Sequence, residues 1–271
     1  MDDARPPART IDTGRFERAI AAWGPGARLG APLGGGARND VREVWIGPVR
    51  HVARWSPRPA SAIAWELDLL AALARAGLHM PRPAPAPDGR LQVDGVTVIS
   101  WLDGDAPATD ADWRAVGTFL VRLHAVTRDW VQRPGFAGAA DLLTGTLGGD
   151  IDLDVMPAAA VAICRAAWAA LPAGPSSVVH GDPGAANVRL WRGDGGMIDW
   201  DEARVDLPLF DLVTLPLPRA EIARLAGQPL SAPALAAARR AALAWEVANG
   251  WIVEPAYARR CLDRLLAGDE T

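Results

Sequence analysis

Asp182, Asn187 and Asp199 are the residues of this chain whose types and spacing could do chemistry together. They lie in residues 178–212, VVHGDPGAANVRLWRGDGGMIDWDEARVDLPLFDL. An amide oxygen and a carboxylate at one point suit a hard divalent cation such as Mg2+, which keeps its other positions for water and phosphate oxygens. A further carboxylate that ligates nothing can accept a proton from an attacking hydroxyl. Asp182 as base, with Asn187 and Asp199 as metal ligands, is a constellation for phosphoryl transfer. Taken singly, Asp-Pro-Gly and Gly-Asp-Gly-Gly are ordinary turn sequences. Their order and spacing carry the reading.

To bring these groups together the chain must double back. Val178-Val179 predicts a short strand, and the glycine-rich stretch centred on Gly193 predicts a hairpin. With 193 at its centre, Asn187 faces Asp199 at the open end. Further upstream, alternating residues at 41–46 and 49–55, split by Gly47-Pro48, predict two antiparallel strands. Residues 91–93 and 96–100 predict a second hairpin around Asp94-Gly95. Gly34, Gly35 and Gly36 precede the first pair; such a loop can lay N–H groups over phosphates or be a plain flexible turn. Residues 61–77 predict a helix with Ser61 as cap, Gly77 as stop, a stripe of Ile63, Leu67, Leu70 and Ala74, and Glu66 at its border. Another helix starts at Asp110, with His124 beside its apolar face. Residues 220–267 read as alanine- and leucine-rich helices. His180 is expected to buttress the Asp182 loop, while Trp200, Trp245 and Trp251 either pack or line a cleft.

Composition narrows the function classes. At 271 residues the chain can bury a large core or two lobes. A net charge of -4 gives no electrostatic case for nucleic acid or an anionic membrane. A polar, proline-bearing start and the lack of a long apolar run predict neither a signal peptide nor an anchor. Cys164 and Cys261 lack metal-ligand spacing and are expected as reduced thiols of a cytoplasmic protein. All 28 basic residues are arginine, so no lysine can hold phosphates.

The pattern H-G-D-x4-N followed by I-D-W, seen at 180–187 and 198–200, resembles the aminoglycoside phosphotransferase and choline kinase-like family, relatives of the protein kinases. The segment around Asp206 and Asp211 is similar to that family's G-D-P-x-x-D-L, with Asp211 read as bracing the loop. The resemblance implies an α+β, two-lobed protein-kinase-like fold: an extension at 1–24, a small antiparallel β-rich nucleotide-binding lobe at 25–104, and a larger, mainly helical catalytic lobe at 105–271. It implies ATP or GTP as co-substrate, Mg2+ on Asn187 and Asp199, and Asp182 as catalytic residue. In place of the usual strand lysine and helix glutamate stand Arg54 and Glu66. Residues Gly34–Gly36 would cover the phosphates. Trp101-Leu-Asp-Gly-Asp105 resembles the family's hinge, with the Ser100 carbonyl and Leu102 amide as adenine contacts.

The expected activity is an O-phosphotransferase for a small hydroxylated acceptor, such as an aminoglycoside-like antibiotic, an amino sugar or a natural-product alcohol. Asp150, Asp152 and Asp154, with Asp201 and Glu202, could receive a cationic amine or be solvated loop acids. No nucleic-acid or membrane partner is expected, and the chain would be a monomer or homodimer. The alternatives are a housekeeping kinase of the choline, homoserine or sugar type, a nucleotide-binding pseudokinase (favoured by Arg54), and a non-catalytic helical interaction protein.

Overall fold

A computed structural model describes residues 12–34, 38–227 and 229–268. The chain divides into two compact units, one ending at Asp103 and the other beginning at Gly104. In the first, Asp12 accepts the Arg15 amide and so caps α1 (Thr13–Ile20). Phe16, Ala19 and Ile20 of this helix pack with Trp23, Val44, Ala53, Val96 and Val98. Residues from 12 onward, expected as part of an extension, therefore complete the first unit's core. Their apolar spacing at 16, 19, 20 and 23 is what buries them.

The rest of this unit is β1 (Ala27–Pro32), β2 (Asp40–Ile46), β3 (Val49–Trp55), α2 (Ala60–Arg75), β4 (Gln92–Val93) and β5 (Val96–Ser100). The strands form one antiparallel sheet in the order β1-β2-β3-β5-β4. Asp94 and Gly95 turn the β4–β5 hairpin with φ of 50° and 83°, the primed turn that their types favour. Ser61 is not the cap of α2. The helix starts a residue earlier, after Pro59, with no side-chain cap.

The second unit is mainly helical. It contains α3 (Asp110–Val126), β6 (Leu147–Gly148), β7 (Ile151–Asp152), α4 (Ala158–Ala169), β8 (Ser177–Val179), β9 (Val188–Trp191), β10 (Asp194–Met197), β11 (Arg204–Asp206), α5 (Leu209–Leu212), α6 (Arg219–Leu225), α7 (Ala232–Val253) and α8 (Pro255–Ala267). A reciprocal capping box between Thr109 and Asp112 opens α3. Trp168, Phe210 and Trp245 centre a core shared by α4, α5, α7 and α8. Trp200 and Trp245 are buried packing residues and do not line a cleft. Among the described residues no helix is long and apolar enough to cross a membrane.

Residues 178–206 fold as one hairpin nested inside another. The outer pair is β8 with β11, Val179 opposite Arg204; the inner pair is β9 with β10, Val188 opposite Met197. Residues 180–187 and 198–203 link the two pairs, and Asp182, Asn187 and Asp199 all lie on these links.

Candidate active site

Asp182 is exposed on the first link. Its Oδ2 accepts from Asn187 Nδ2 at 2.9 Å, and its carbonyl accepts from the same nitrogen at 3.0 Å. The Gly184 amide donates to Oδ1 at 3.4 Å. Asn187 thus fixes the carboxylate with its donor end, which leaves Oδ1 as the end able to meet a cation. The Asp182 amide donates to His180 Nδ1 at 3.3 Å, so the proton sits on Nε2, which donates to the Ile198 carbonyl at 3.0 Å. His180 thereby ties one link to the other, with its ring edge-on to Trp200 at 4.6 Å.

The hairpin centre differs by half a residue from the expected one. Asp194 pairs with Trp191, so the turn is Arg192-Gly193, both left-handed, with φ of 53° and 85°. This two-residue turn matches the twist of the strands. Asn187 consequently lies opposite Ile198, whose amide donates to its carbonyl at 2.9 Å. Asp199 does not face Asn187 across the ladder; it follows as the next residue, exposed and left-handed at φ 62°.

Asp211 braces the first link from below. Its carboxylate, fully buried, accepts from the His180 amide at 2.9 Å, the Gly181 amide at 3.0 Å and His124 Nε2 at 2.9 Å. Burial alone would raise its pKa. The hydrogen bond and charge of His124, then His180 and the Gly181 amide, outweigh burial and hold it below the ordinary carboxylate value. Gly181 is required here: φ is 92°, and a Cβ would come within 3.0 Å of both Glu202 Cβ and the Glu202 carbonyl.

In the first unit, Arg54 Nη2 donates to Glu66 Oε1 at 2.6 Å, a buried pair joining β3 to α2. Glu66 is itself buried, beside Ile63, Leu67 and Leu70 on the same helix. Gly34 is exposed with open space around its Cα, while Gly35 and Gly36 lie outside the described residues. Ser100 ends β5; its amide donates to the Arg82 carbonyl at 2.8 Å and its hydroxyl accepts from the Arg82 amide at 2.9 Å. Leu102 is buried just beyond it.

The acids proposed for an amine divide into three groups. Asp150, Asp152 and Asp154 sit in and after the β6–β7 hairpin, where Asp152 accepts from the Asp154 amide and Asp154 from the Thr146 hydroxyl. Asp201 is buried. Glu202 approaches Gly181, beside the Asp182 loop. A further acid joins it. Glu246 on α7 is half-buried, and Tyr257 Oη donates to its Oε2 at 3.2 Å. Burial pushes the Glu246 carboxyl up to about 8, helped by the negative charges of Glu202 and Asp182 and opposed by Tyr257 and Arg204.

Residues 30–251 match the model of the phosphotransferase enzyme family. The chain belongs to that family. The phosphotransferase has no match among curated proteins. It is similar in fold to aminoglycoside phosphotransferase APH(4)-Ia at 16% identity and TM-score 0.69, covering 95% of this chain and 98% of that one. A microcompartment-associated aminopropanol kinase is similar at 19% identity and TM-score 0.66, over 96% and 95% of the two chains. An amicoumacin kinase, solved with AMP-PNP, Ca2+ and Ami, is similar at 15% identity and TM-score 0.65, over 96% and 94%. The phosphotransferase therefore has the expected α+β, two-lobed kinase-like fold, and the reading as a non-catalytic interaction protein is set aside.

The donor set of the phosphotransferase suits a cation that arrives with phosphate oxygens. Among the described residues no three His, Cys, Asp or Glu side chains converge as a closed metal centre. An amide oxygen on Asn187 and an exposed carboxylate on Asp199 leave most positions to other ligands, as Mg2+ requires. Glu246 was missed in the sequence because it stands alone in an alanine-rich helix, with no local pattern to link it to Asp182. Arg133 stands in the loop after α3, where no local pattern links it to the second link that it reaches.

Proposed function

We propose that this phosphotransferase uses ATP or GTP to phosphorylate a hydroxyl of a small amine-bearing molecule, in the class of aminoglycoside-like antibiotics, amino sugars and natural-product alcohols. The observation that carries the reading is the Asp182 carboxylate, exposed yet pinned by Asn187 and Gly184, with its loop anchored on Asp211. Asp182 would orient the acceptor hydroxyl and take its proton as the oxygen attacks phosphorus. Asn187 and Asp199 would hold Mg2+, which when bound neutralises charge on the phosphate oxygens. Arg54, fixed by Glu66, would fork onto the nucleotide phosphates in place of a lysine. Gly34, Gly35 and Gly36 would lie over those phosphates, and the Ser100 carbonyl and Leu102 amide would meet the base.

Glu202 and Glu246 support the amine. Two carboxyls near Asp182 repel one another when ionised, and an ammonium group between them relieves that repulsion. A small amino alcohol of metabolism is the second reading, favoured by the likeness to the aminopropanol kinase.

The test is nucleoside diphosphate release from ATP or GTP with Mg2+ over a panel of aminoglycosides, amino sugars and amino alcohols. At least one acceptor should raise turnover well above the acceptor-free rate, and Asp182→Asn should lower that turnover roughly 10²–10⁴-fold. An undiminished Asp182→Asn rate would contradict the assignment of the base.

A further inference from the structure

Arg133 is one of the most deeply buried charges in the second unit, at 1% exposure, with its guanidinium carbon 4.4 Å from the centre of the Phe136 ring. A buried guanidinium persists only where acceptors satisfy it. Here a single nitrogen, Nη1, donates to three carbonyls: Trp200 at 3.0 Å, Asp201 at 3.0 Å and Ala203 at 3.3 Å. All three belong to the link that starts with Ile198-Asp199. The preceding residue works on the same segment, since Gln132 Nε2 donates to the Val205 carbonyl and its Oε1 accepts the Val205 amide, both at 2.9 Å. The Gln132 Oε1 also accepts the Arg133 amide at 2.9 Å, so one oxygen joins the Val205 amide to the backbone of Arg133.

Asp199, at the start of that link, holds φ at 62° without being glycine. Aspartate is among the few side-chain-bearing residues that visit the left-handed region, and fixed flanks hold it there. On one side of Asp199 the Ile198 amide is bonded to Asn187, and the Ile198 carbonyl to His180. On the other side the carbonyls of residues 200, 201 and 203 converge on Arg133. The segment is thus clamped at both ends around the one residue whose carboxylate is read as a metal ligand.

We propose that Arg133 is a positioning residue for Asp199, setting the backbone from which that carboxylate meets the cation of a bound metal–nucleotide complex. The inference rests on the metal reading given above. Charge alone does not do this work: the nitrogen that meets the three carbonyls is held in place by a planar guanidinium lying on Phe136, whereas a lysine ammonium ends a flexible stem with no such planar anchor.

The test compares the wild type with Arg133→Lys and Arg133→Met, using AMP-PNP as the nucleotide. Thermal shifts are read as Mg2+ is titrated, and Mn2+ binding is followed by electron paramagnetic resonance. Supporting partners of metal ligands are worth about 10–100-fold in metal affinity. Both variants should therefore need roughly that much more Mg2+ or Mn2+ for half-saturation, while AMP-PNP affinity in chelator stays at the wild-type value. Variants that melt earlier but keep the wild-type metal midpoints would overturn the proposal and leave Arg133 a fold residue only. Should Arg133→Met fail to fold, the midpoint of Arg133→Lys decides alone. A wild type with no metal-dependent nucleotide binding has a different signature, since all three proteins then behave alike; it would overturn the metal reading and this inference with it.

Discussion

Glu246 shows how a single side chain ties stability to pH. Its pKa rises from 4.5 to about 8 on folding. Between those values the unfolded chain has lost the proton and the folded chain retains it, so folding takes up a proton and stability falls as pH rises through that window. Above about 8 the contribution levels off. The groups that face this carboxyl are Glu202, Asp182, Tyr257 and Arg204. Glu246→Gln removes the proton uptake. The difference in urea midpoint between variant and wild type should therefore grow in favour of the variant from mildly acidic to mildly alkaline pH. Parallel curves for the two proteins would mean that Glu246 titrates as an ordinary surface acid.

At the scale of elements, the nested hairpins and the α5 turn hold the site. Asp211 at α5 gathers three donors from α3 and the Asp182 link, and its lowered pKa places its stabilisation above the ordinary value of 3.8, to be lost as pH falls through the folded value. Asp211→Ala leaves those donors unpaired in the interior. It should cost roughly 3–5 kcal/mol in urea unfolding at neutral pH, and its stability should be less acid-sensitive than that of the wild type. A cost below about 1 kcal/mol would show that water replaces the carboxylate. The strands β2 to β5, β8, the inner hairpin of β9 and β10 and the position of α2 were legible from alternation and turn residues; β1, β6, β7 and the β8–β11 pairing were not. The centre of the 188–197 hairpin was not, because Gly193, Gly195 and Gly196 all tolerate a left-handed turn and only pairing selects Arg192-Gly193. The Ser61 cap failed for a related reason: Pro59 already ends the extended run, and the helix begins before serine can cap it.

At the scale of the molecule, each unit has its own core and its own share of the residues proposed for the chemistry. The first joins β3 to α2 through Arg54 and Glu66, and the second carries the two links of the nested hairpins. Asp182, Asn187 and Asp199 could be picked out together because they sit within one short segment, and their roles as base and metal ligands are the proposal given above. Arg133, Glu246 and Asp211's partners were not, since each acts from an element distant in sequence and leaves no local period. Under the proposed function, a chain without lysine would hold nucleotide phosphates through guanidinium, main chain and metal, so nucleotide binding should depend on the metal. The most direct measurement is thermal unfolding of wild type and Asp199→Ala with ATP or GTP, each with and without Mg2+. Ligand at 100 times its Kd adds about 2.7 kcal/mol, several degrees at ~2–4 °C per kcal/mol. A Mg2+-dependent rise is expected for at least one nucleotide in the wild type, abolished in Asp199→Ala. A folded wild type that shows no rise with either nucleotide at millimolar concentration, or an equal rise in Asp199→Ala, would contradict it.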